Sequence, residues 1–312
     1  MSLLEVKDLY TQFNTDAGVV RAVDGVSFSL DAGRTIGIVG ESGSGKSVTA
    51  MSVIRLLDYP GKIAGGTVLY KGKDLTTASE ADLRNIRGNE ISVIFQEPMT
   101  SLNPVFKIKD QLNEAIILHR GLTKAEATQI SFDMLKAVKI DNAYDVLDYY
   151  PHQLSGGMRQ RVMIAMALAC KPDILIADEP TTALDVIIQA DILKLMNDLK
   201  KDLNTSIIFI SHDLGVVSQM ADDVIVMING RVVEQSPIRT LFDNPIHPYT
   251  RSLISSFLRT DIDTKVEDYK PLDDFAKVTE EYDFKNFVEN RMADADWVEV
   301  EPGHFVAVNL LK

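Results

Sequence analysis

The sequence has little cysteine and no long apolar run. Cys170 is the only cysteine among the 312 residues, which excludes an internal disulfide and a metal site built from several thiolates. The longest uncharged apolar run, residues 162–170, is far shorter than the roughly 18 to 20 residues that span a bilayer. No basic stretch leads into an apolar one near Met1. We therefore expect a cytosolic chain that does not itself cross a membrane.

Basic residues are also few relative to acidic ones. The chain has 32 Lys and Arg against 45 Asp and Glu, a formal net charge of -13, and the acidic excess is concentrated beyond residue 260. No dense run of Lys and Arg compensates for this charge. Because a polyanion would be repelled, we predict no nucleic acid partner.

Short aliphatic and β-branched runs alternate with longer helix-like stretches. Nearly continuous apolar strands of this length are buried on both faces, as in a largely parallel sheet covered by helices. The sequence therefore predicts the α/β class. The runs are residues 35–39, 91–95, 174–177, 207–210 and 224–228.

Three other segments have different patterns. Residues 3–30 have the pattern of strands and turns, which predicts a small antiparallel flank. Residues from about 98 to 169 are mostly helical in pattern, with an amphipathic helix predicted over 125–139, and indicate an inserted helical subdomain. Beyond about residue 260 the pattern weakens, although 297–300 and 304–308 are candidates for a pair of short strands.

A glycine-rich loop follows the first apolar run. Residues 40–47, Gly-Glu-Ser-Gly-Ser-Gly-Lys-Ser, stand between that strand and a helix-like stretch. The glycines let main-chain N–H groups converge on phosphates, and the helix N-terminus adds a favourable dipole. Lys46 supplies a cation and the Ser47 hydroxyl a ligand for Mg²⁺; the alternative is a glycine-rich turn with a solvated lysine. The predicted site for ATP comprises Gly40, Glu41, Ser42, Gly43, Ser44, Gly45, Lys46, Ser47 and Val48.

Two adjacent carboxylates, Asp178 and Glu179, end the apolar run that begins at Ile174. Open α/β sheets bind ligands at the carboxyl ends of their strands. Asp178 is placed to hold the metal, directly or through water, and Glu179 to take a proton from the attacking water. Either carboxylate alone has a simpler interpretation as a cap of the next helix.

The segment Leu154-Ser155-Gly156-Gly157 opens a helix-like run through Ala169. Here the sequence resembles the ABC ATPase family, whose signature is Leu-Ser-Gly-Gly. Ser155 at a helix N-terminus and two glycines with exposed N–H groups form an anion site for a γ-phosphate, although a simple Ser-Gly-Gly cap has the same pattern. The resemblance implies an ABC-type P-loop NTPase with a RecA-like core, an antiparallel β flank, a helical subdomain and a C-terminal extension.

Three further positions match the family pattern. Gln96 matches the glutamine whose loop joins nucleotide and metal to the membrane partner, and Asp185 lies in the loop that crosses between ATPase subunits. His212 matches the switch histidine that contacts the γ-phosphate. Phe13 is either an adenine-stacking aromatic or a core phenylalanine. The resemblance implies that Glu179, His212, Lys46 and Gln96 support hydrolysis, with Ser47, Gln96 and Asp178 on the metal.

In this family two cassettes meet head to tail, so that each ATP lies between the phosphate loop of one and the signature of the other. We therefore expect a second ATPase subunit, two transmembrane permease subunits as separate chains, and a location on the cytoplasmic face of the cell membrane. An extracytoplasmic solute-binding protein would complete such an importer. The less favoured alternatives are a soluble ABC ATPase of DNA repair or translation and a nucleotide-gated module without activity.

The sequence is most similar to the ATPase subunits of dipeptide and oligopeptide permeases. The resemblance is carried by residues 40–45, 95–104, 158–161 and 247–250, and it covers residues 1 to about 258 well. We divide the chain there, with 259–312 as the extension. Met158 in the signature favours two unlike ATPases. Many relatives carry a cysteine-rich segment that ligates an iron–sulfur cluster; the extension has no cysteine, so we predict no cluster. Related ATPases energise the transport of nickel complexes or glycosides, so these solutes stay alternatives to peptides as the cargo.

Replacing the loop lysine tests the ATP site directly. Lys46→Ala removes the cation expected to contact the phosphates, so it should weaken nucleotide binding by about tenfold or more, since hydrogen bonds to charged groups are the stronger ones. Calorimetric titration of the purified chain with ATP measures this affinity. An unchanged affinity would contradict the prediction that residues 40–47 bind the phosphates.

Overall fold

The structure is a computed structural model that describes residues 2–16, 18–96, 101–182, 184–260 and 282–310. The chain divides into two compact units. Unit 1 comprises Met1–Leu30, Thr35–Thr76 and Phe209–Lys312, and unit 2 comprises Asp31–Arg34 and Thr77–Ile208. None of the helices in the described residues combines the length and apolarity needed to cross a membrane.

Strands and helices are numbered along the chain. The strands are β1 Leu4–Thr15, β2 Gly18–Leu30, β3 Thr35–Val39, β4 Gly61–Tyr70, β5 Lys73–Asp74, β6 Ile91–Ile94, β7 Ile174–Asp178, β8 Ser206–Ser211, β9 Asp223–Ile228, β10 Arg231–Pro237, β11 Tyr282–Asp283, β12 Asp296–Glu301 and β13 His304–Leu310. The helices are α1 Lys46–Val53, α2 Glu80–Ile86, α3 Ile108–Arg120, α4 Lys124–Ala137, α5 Ala143–Val146, α6 Gly156–Leu168, α7 Val186–Leu203, α8 Leu214–Ser218, α9 Ile238–Asp243, α10 Pro248–Thr260 and α11 Lys285–Asn290.

Unit 1 contains an antiparallel sheet in the order β2-β1-β4-β5. Its long strands β1 and β2 carry one face of buried side chains, including Leu4, Leu9 and Val26, and a face that is largely exposed. This alternation is typical of a sheet that packs on a core through one side. The antiparallel flank predicted from residues 3–30 is therefore confirmed.

The second sheet of unit 1 runs β11-β13-β10-β9-β3. β3 and β9 are parallel, as expected for two nearly continuous apolar runs, and the other pairs are antiparallel. The C-terminal strands β12 and β13 pair, as their sequence indicated. β13 also pairs with β10 through Val306 and Glu234, so the extension, interpreted from sequence as an appendage, contributes a strand to this sheet. The buried side chains of Val306 and Val308 explain this, because they need an apolar neighbour.

Unit 2 combines the parallel pair β6 and β7 with most of the long helices. α4 begins at a capping box in which Thr123 and Glu126 each accept from the other's main-chain N–H. It agrees with the amphipathic helix predicted over 125–139 to within two residues at its end. α6 begins after Ser155, as the signature indicated. The extents of the predicted domains and subdomain stay predictions.

A close contact fixes α8 on β3 within unit 1. A Cβ on Gly37 would lie 2.3 Å from Val217 Cγ1 and 3.1 Å from the Ala221 Cβ. Gly37→Ala should therefore lower the free energy of unfolding by about 1 to 3 kcal/mol, the usual cost of overpacking a core. Urea denaturation of the purified chain measures this. Gly156→Ala is the control, because nothing lies within 4 Å of that position; equal losses in both variants would contradict this account.

Candidate active site

The turn from β3 into α1 is laid tightly against neighbouring backbone. A Cβ on Gly40 would lie 2.2 Å from the Met227 carbonyl oxygen, and one on Gly45 would lie 2.4 Å from the Ala22 carbonyl oxygen. Gly40 and Gly45 also have φ of 152° and 99°. Both positions therefore require glycine, for space and for backbone conformation. The loop is thus held between β9 and β2 at its two ends.

Lys46 is 5% exposed and extends back into this loop. Its Nζ donates to the carbonyl oxygens of Gly40 and Glu41, each at 2.8 Å. Glu41, Ser42 and Gly43 are exposed, and a Cβ on Gly43 would meet nothing within 4 Å. The loop therefore combines a preplaced cation with an open outer surface, and its residues fit a phosphate group.

In unit 2, Asp178 ends β7 as a buried carboxylate and Glu179 follows it half-buried. Gln96 Nε2 donates to Glu179 Oε2 at 3.1 Å, and Thr182 Oγ1 donates to the same oxygen at 2.9 Å. The segments that follow β6 and β7 thus bring Gln96 and Glu179 into contact. Sequence reasoning missed Thr182 as a partner of Glu179; its position three residues later, beyond the turn at Pro180, was the available signal.

The backbone of Glu179 is strained. Its φ of 46° lies in the left-handed region, which costs a residue other than glycine on the order of 1 to 3 kcal/mol. Such conformations persist where surrounding contacts determine them, often at functional sites. The hydrogen bonds from Gln96 and Thr182 are contacts of this kind, and they hold the carboxylate in one orientation.

The signature lies at the exposed start of α6. Ser155 Oγ accepts from the Met158 N–H at 3.3 Å, and Ser155 and Gly156 are exposed. A Cβ on Gly157 would lie 3.2 Å from an Ile188 methyl group. The hydroxyl caps the helix, and the first turn with its N–H groups lies at the surface, where an anion has access.

The remaining predicted positions lie as follows. Asp185 caps α7 by accepting from the Ile188 N–H at 3.0 Å and is exposed. His212 is exposed directly after β8 in unit 1. Phe13 is half-buried in β1 opposite Gly61, where a Cβ would lie 2.7 Å from its ring. Unit 1 thus holds the phosphate loop, Phe13 and His212, and unit 2 holds Gln96, the signature, Asp178, Glu179 and Asp185.

The chain is similar to proteins of known family along most of its length. The family model described as "ABC transporter" matches residues 23–182, and the one described as "Oligopeptide/dipeptide transporter, C-terminal region" matches residues 233–283. The chain is 53% identical over 255 residues to a probable peptide ABC transporter ATP-binding protein, y4tR, of Sinorhizobium fredii, covering 81% of this chain and 76% of the relative. It is 54% identical over 256 residues to the oligopeptide transport ATP-binding protein AppD of Bacillus subtilis, covering 82% and 78%.

The chain is also similar to solved structures of ATP-binding cassettes. The dimeric post-hydrolysis state of the ATP-binding cassette MJ0796, bound to ADP and Pi, superposes with a TM-score of 0.68 at 26% identity, covering 76% of this chain and 99% of that one. The cbiO1 protein of Clostridium perfringens, part of the ABC transporter complex cbiONQ, gives 0.67 at 27% identity, covering 84% and 99%. The phosphate loop, the paired carboxylates, the capped signature helix and these matches together show that the chain is an ATPase of the ABC transporter family and carries the C-terminal region of its oligopeptide and dipeptide branch.

Proposed function

We propose that this chain hydrolyses ATP to energise an importer of peptides, with Glu179 as general base. The observation that carries the mechanism is the pair of hydrogen bonds that Gln96 and Thr182 donate to one oxygen of Glu179. Both donors are neutral groups, and together they hold the carboxylate of Glu179 in one orientation. A carboxylate in this state can accept a proton from an attacking water.

The phosphate loop binds the nucleotide. The Lys46 ammonium now contacts two loop carbonyls, and phosphate oxygens are stronger partners for it than neutral carbonyls. We propose that Lys46 turns to the β- and γ-phosphates while the N–H groups of residues 42–48 surround them. His212 contacts the γ-phosphate and Phe13 stacks on the adenine in the same proposal.

Hard oxygen and amide donors suit Mg²⁺. Within the described parts of the chain no group of three or more His, Cys, Asp or Glu side chains is arranged for a metal ion. We propose that Ser47, Asp178 and Gln96 would hold Mg²⁺ together with the nucleotide, Gln96 through its amide oxygen, because that oxygen is the side-chain atom of Gln96 that can act as a ligand. Mg²⁺, when bound, neutralises charge on the transferred phosphoryl group.

A second cassette completes the site in this proposal. Ser155 and Gly156 of the signature are exposed, and the two residues after Asp185 are apolar and solvent-exposed, Val186 by 82% and Ile187 by 78%. Large apolar side chains at this exposure fit a surface that another protein covers. We infer a head-to-tail pair in which Ser155, Gly156 and Gly157 of each chain grip the ATP of the other, the partner being a non-identical ATPase.

Peptides are proposed as the cargo because the C-terminal region and the named relatives are those of peptide transporters. Two permease subunits at the cytoplasmic face of the membrane and an extracytoplasmic binding protein would form the rest of the importer. ATP hydrolysis by the purified assembly should rise on addition of peptide-loaded binding protein. If a nickel complex or a glycoside stimulates ATP hydrolysis and peptides do not, that solute is the cargo and the proposal of peptide import is wrong.

Exposed apolar side chains of unit 2 supply a docking surface for the permease subunits. They follow β6, precede α3 or lie late in α3, and large exposed apolar side chains of this kind fit a surface that another protein covers. The members are Phe95, Val105, Phe106, Ile117 and Leu118.

Removal of the general base should separate binding from hydrolysis. Glu179→Gln should lower the turnover of the assembled transporter by roughly 100-fold or more, because an amide cannot accept the proton, while ATP still binds. Steady-state phosphate release and calorimetry measure the two. Glu80→Gln is the matched control, since Glu80 is an exposed partner of Arg87. Unimpaired hydrolysis by Glu179→Gln would refute the base.

A charged side chain on the docking surface should prevent assembly with the permease subunits without changing ATP binding. The double substitution Val105→Asp and Leu118→Asp places two carboxylates that would lose their water when a permease subunit covers this surface. The doubly substituted chain should therefore no longer co-purify with the membrane subunits, while its affinity for ATP is retained. Val20→Asp, at an exposed apolar position in β2, is the control. Normal co-purification of the double variant would mean that the surface lies elsewhere.

A further inference from the structure

A tyrosine far along the chain holds one peptide plane of the phosphate loop. The Glu41 N–H donates to the Tyr249 hydroxyl at 2.8 Å. The carbonyl of the same peptide plane, that of Gly40, accepts from Lys46 Nζ at 2.8 Å. The plane is therefore gripped on both sides, by a neutral hydroxyl on its N–H and by the ammonium on its oxygen. All of these residues belong to unit 1.

This contact differs from the contacts that shape the rest of the loop. Gly40 has a φ of 152°, and a glycine restricts the orientation of the neighbouring peptide plane less than any other residue does. The Glu41 carbonyl is fixed within the loop, because it accepts from both Lys46 Nζ and the Ser44 N–H. The Glu41 N–H is fixed from outside, by Tyr249.

Tyr249 itself is held by a buried histidine. Tyr249 is 3% exposed, and its N–H donates to Nδ1 of the fully buried His247 at 3.1 Å. Burial lowers the pKa of His247 to about 3, so the ring is neutral and Nδ1 is free of a proton, as this bond requires. Burial also raises the pKa of Tyr249 to about 12, so the hydroxyl stays neutral at physiological pH.

The C-terminal extension packs on this pair. The His247 ring lies edge-on to Phe284 and Phe287, with centroids 5.1 and 4.8 Å away, and the Tyr249 and Phe287 centroids are 6.2 Å apart. Phe284 and Phe287 belong to the start of α11 and are buried. Such ring pairs stabilise beyond the area that they bury, so α11 fixes the position of His247 and Tyr249.

A buried carboxylate ties the end of the chain to the same place. Glu234, fully buried in β10, accepts from the N–H groups of Ile246 and His247 at 2.9 and 3.0 Å, and it lies 2.7 Å from His304 Nε2. Although burial opposes it, the pKa of His304 is raised by its hydrogen bonds to Glu234 and Glu301. β13 is thereby attached to the residues that precede Tyr249.

We propose that Tyr249 is a positioning residue for the phosphate loop, and that the C-terminal extension holds Tyr249 in place and so contributes to the affinity of the chain for ATP. The extension acts through packing on His247 and Tyr249, and Tyr249 acts through one hydrogen bond to the Gly40–Glu41 peptide. This inference rests on the proposed role of residues 40–48 as the ATP site. It adds that the C-terminal extension contributes to ATP binding by these residues through Tyr249.

Tyr249→Phe tests the hydroxyl alone, because the ring and its packing are kept. Loss of one hydrogen bond should weaken ATP and ADP binding to the full chain by about three- to tenfold. In the assembled transporter KM for ATP should rise by a similar factor while kcat stays within about twofold, because Tyr249 touches no reacting atom. Calorimetry and steady-state hydrolysis give the two readouts.

The controls separate positioning from general stability. Tyr59→Phe removes a hydroxyl from a side chain that is 98% exposed and should leave affinity unchanged. Phe287→Leu, in the extension, should weaken ATP binding in the same direction as Tyr249→Phe. If parent and Tyr249→Phe bind ATP equally well, or if Tyr249→Phe lowers only the melting temperature, Tyr249 does not position the loop. If Phe287→Leu leaves affinity intact, the extension has no part in it. Failure of the parent chain to bind ATP would refute the ATP site itself.

Discussion

The close approach of the β3–α1 turn to neighbouring backbone is the constraint on which the site depends. The loop enters at Gly40 against a carbonyl of β9 and leaves at Gly45 against a carbonyl of β2, with room for no side chain at either point. This fixes where α1 begins, and hence where Lys46 emerges, so that its ammonium can fold back onto the loop's own carbonyls. A buried cation needs such partners. The loop therefore carries its charge in place before any phosphate binds.

The buried strands could be predicted from the sequence because burial on both faces requires a recognisable pattern of apolar residues. Strands covered on both faces need continuous apolar residues, and β3, β6, β7, β8 and β9 coincide with the predicted runs to within one residue at most ends. The start of α6 was predictable for a different reason: Ser155 both ends the preceding loop and accepts from the N–H of Met158, and this local chemistry is visible over four residues.

Contacts between residues distant in sequence and outside any periodic pattern could not be predicted. Nothing in the spacing of Glu234 and His304 indicates that they meet, and an acidic, weakly patterned extension gives no sign that its last strand joins β10. The segment His247 to Thr250 was visible only as a mark of resemblance. In the structure its His and Tyr side chains lie between the extension and the phosphate loop.

The extension is therefore better regarded as part of the ATPase unit than as a tail. Separating β13 from β10 would take His304 away from Glu234 and so remove one of the hydrogen-bond partners of this buried carboxylate, which is costly for a buried polar group. It would also uncover Phe284 and Phe287. With no cysteine in residues 259–312, no thiolate metal site or disulfide is available to anchor the segment. The Glu234–His304 pair, the aromatic contacts and the pairing of β13 with β10 hold the segment, and the aromatic contacts also hold Tyr249, which binds the phosphate loop.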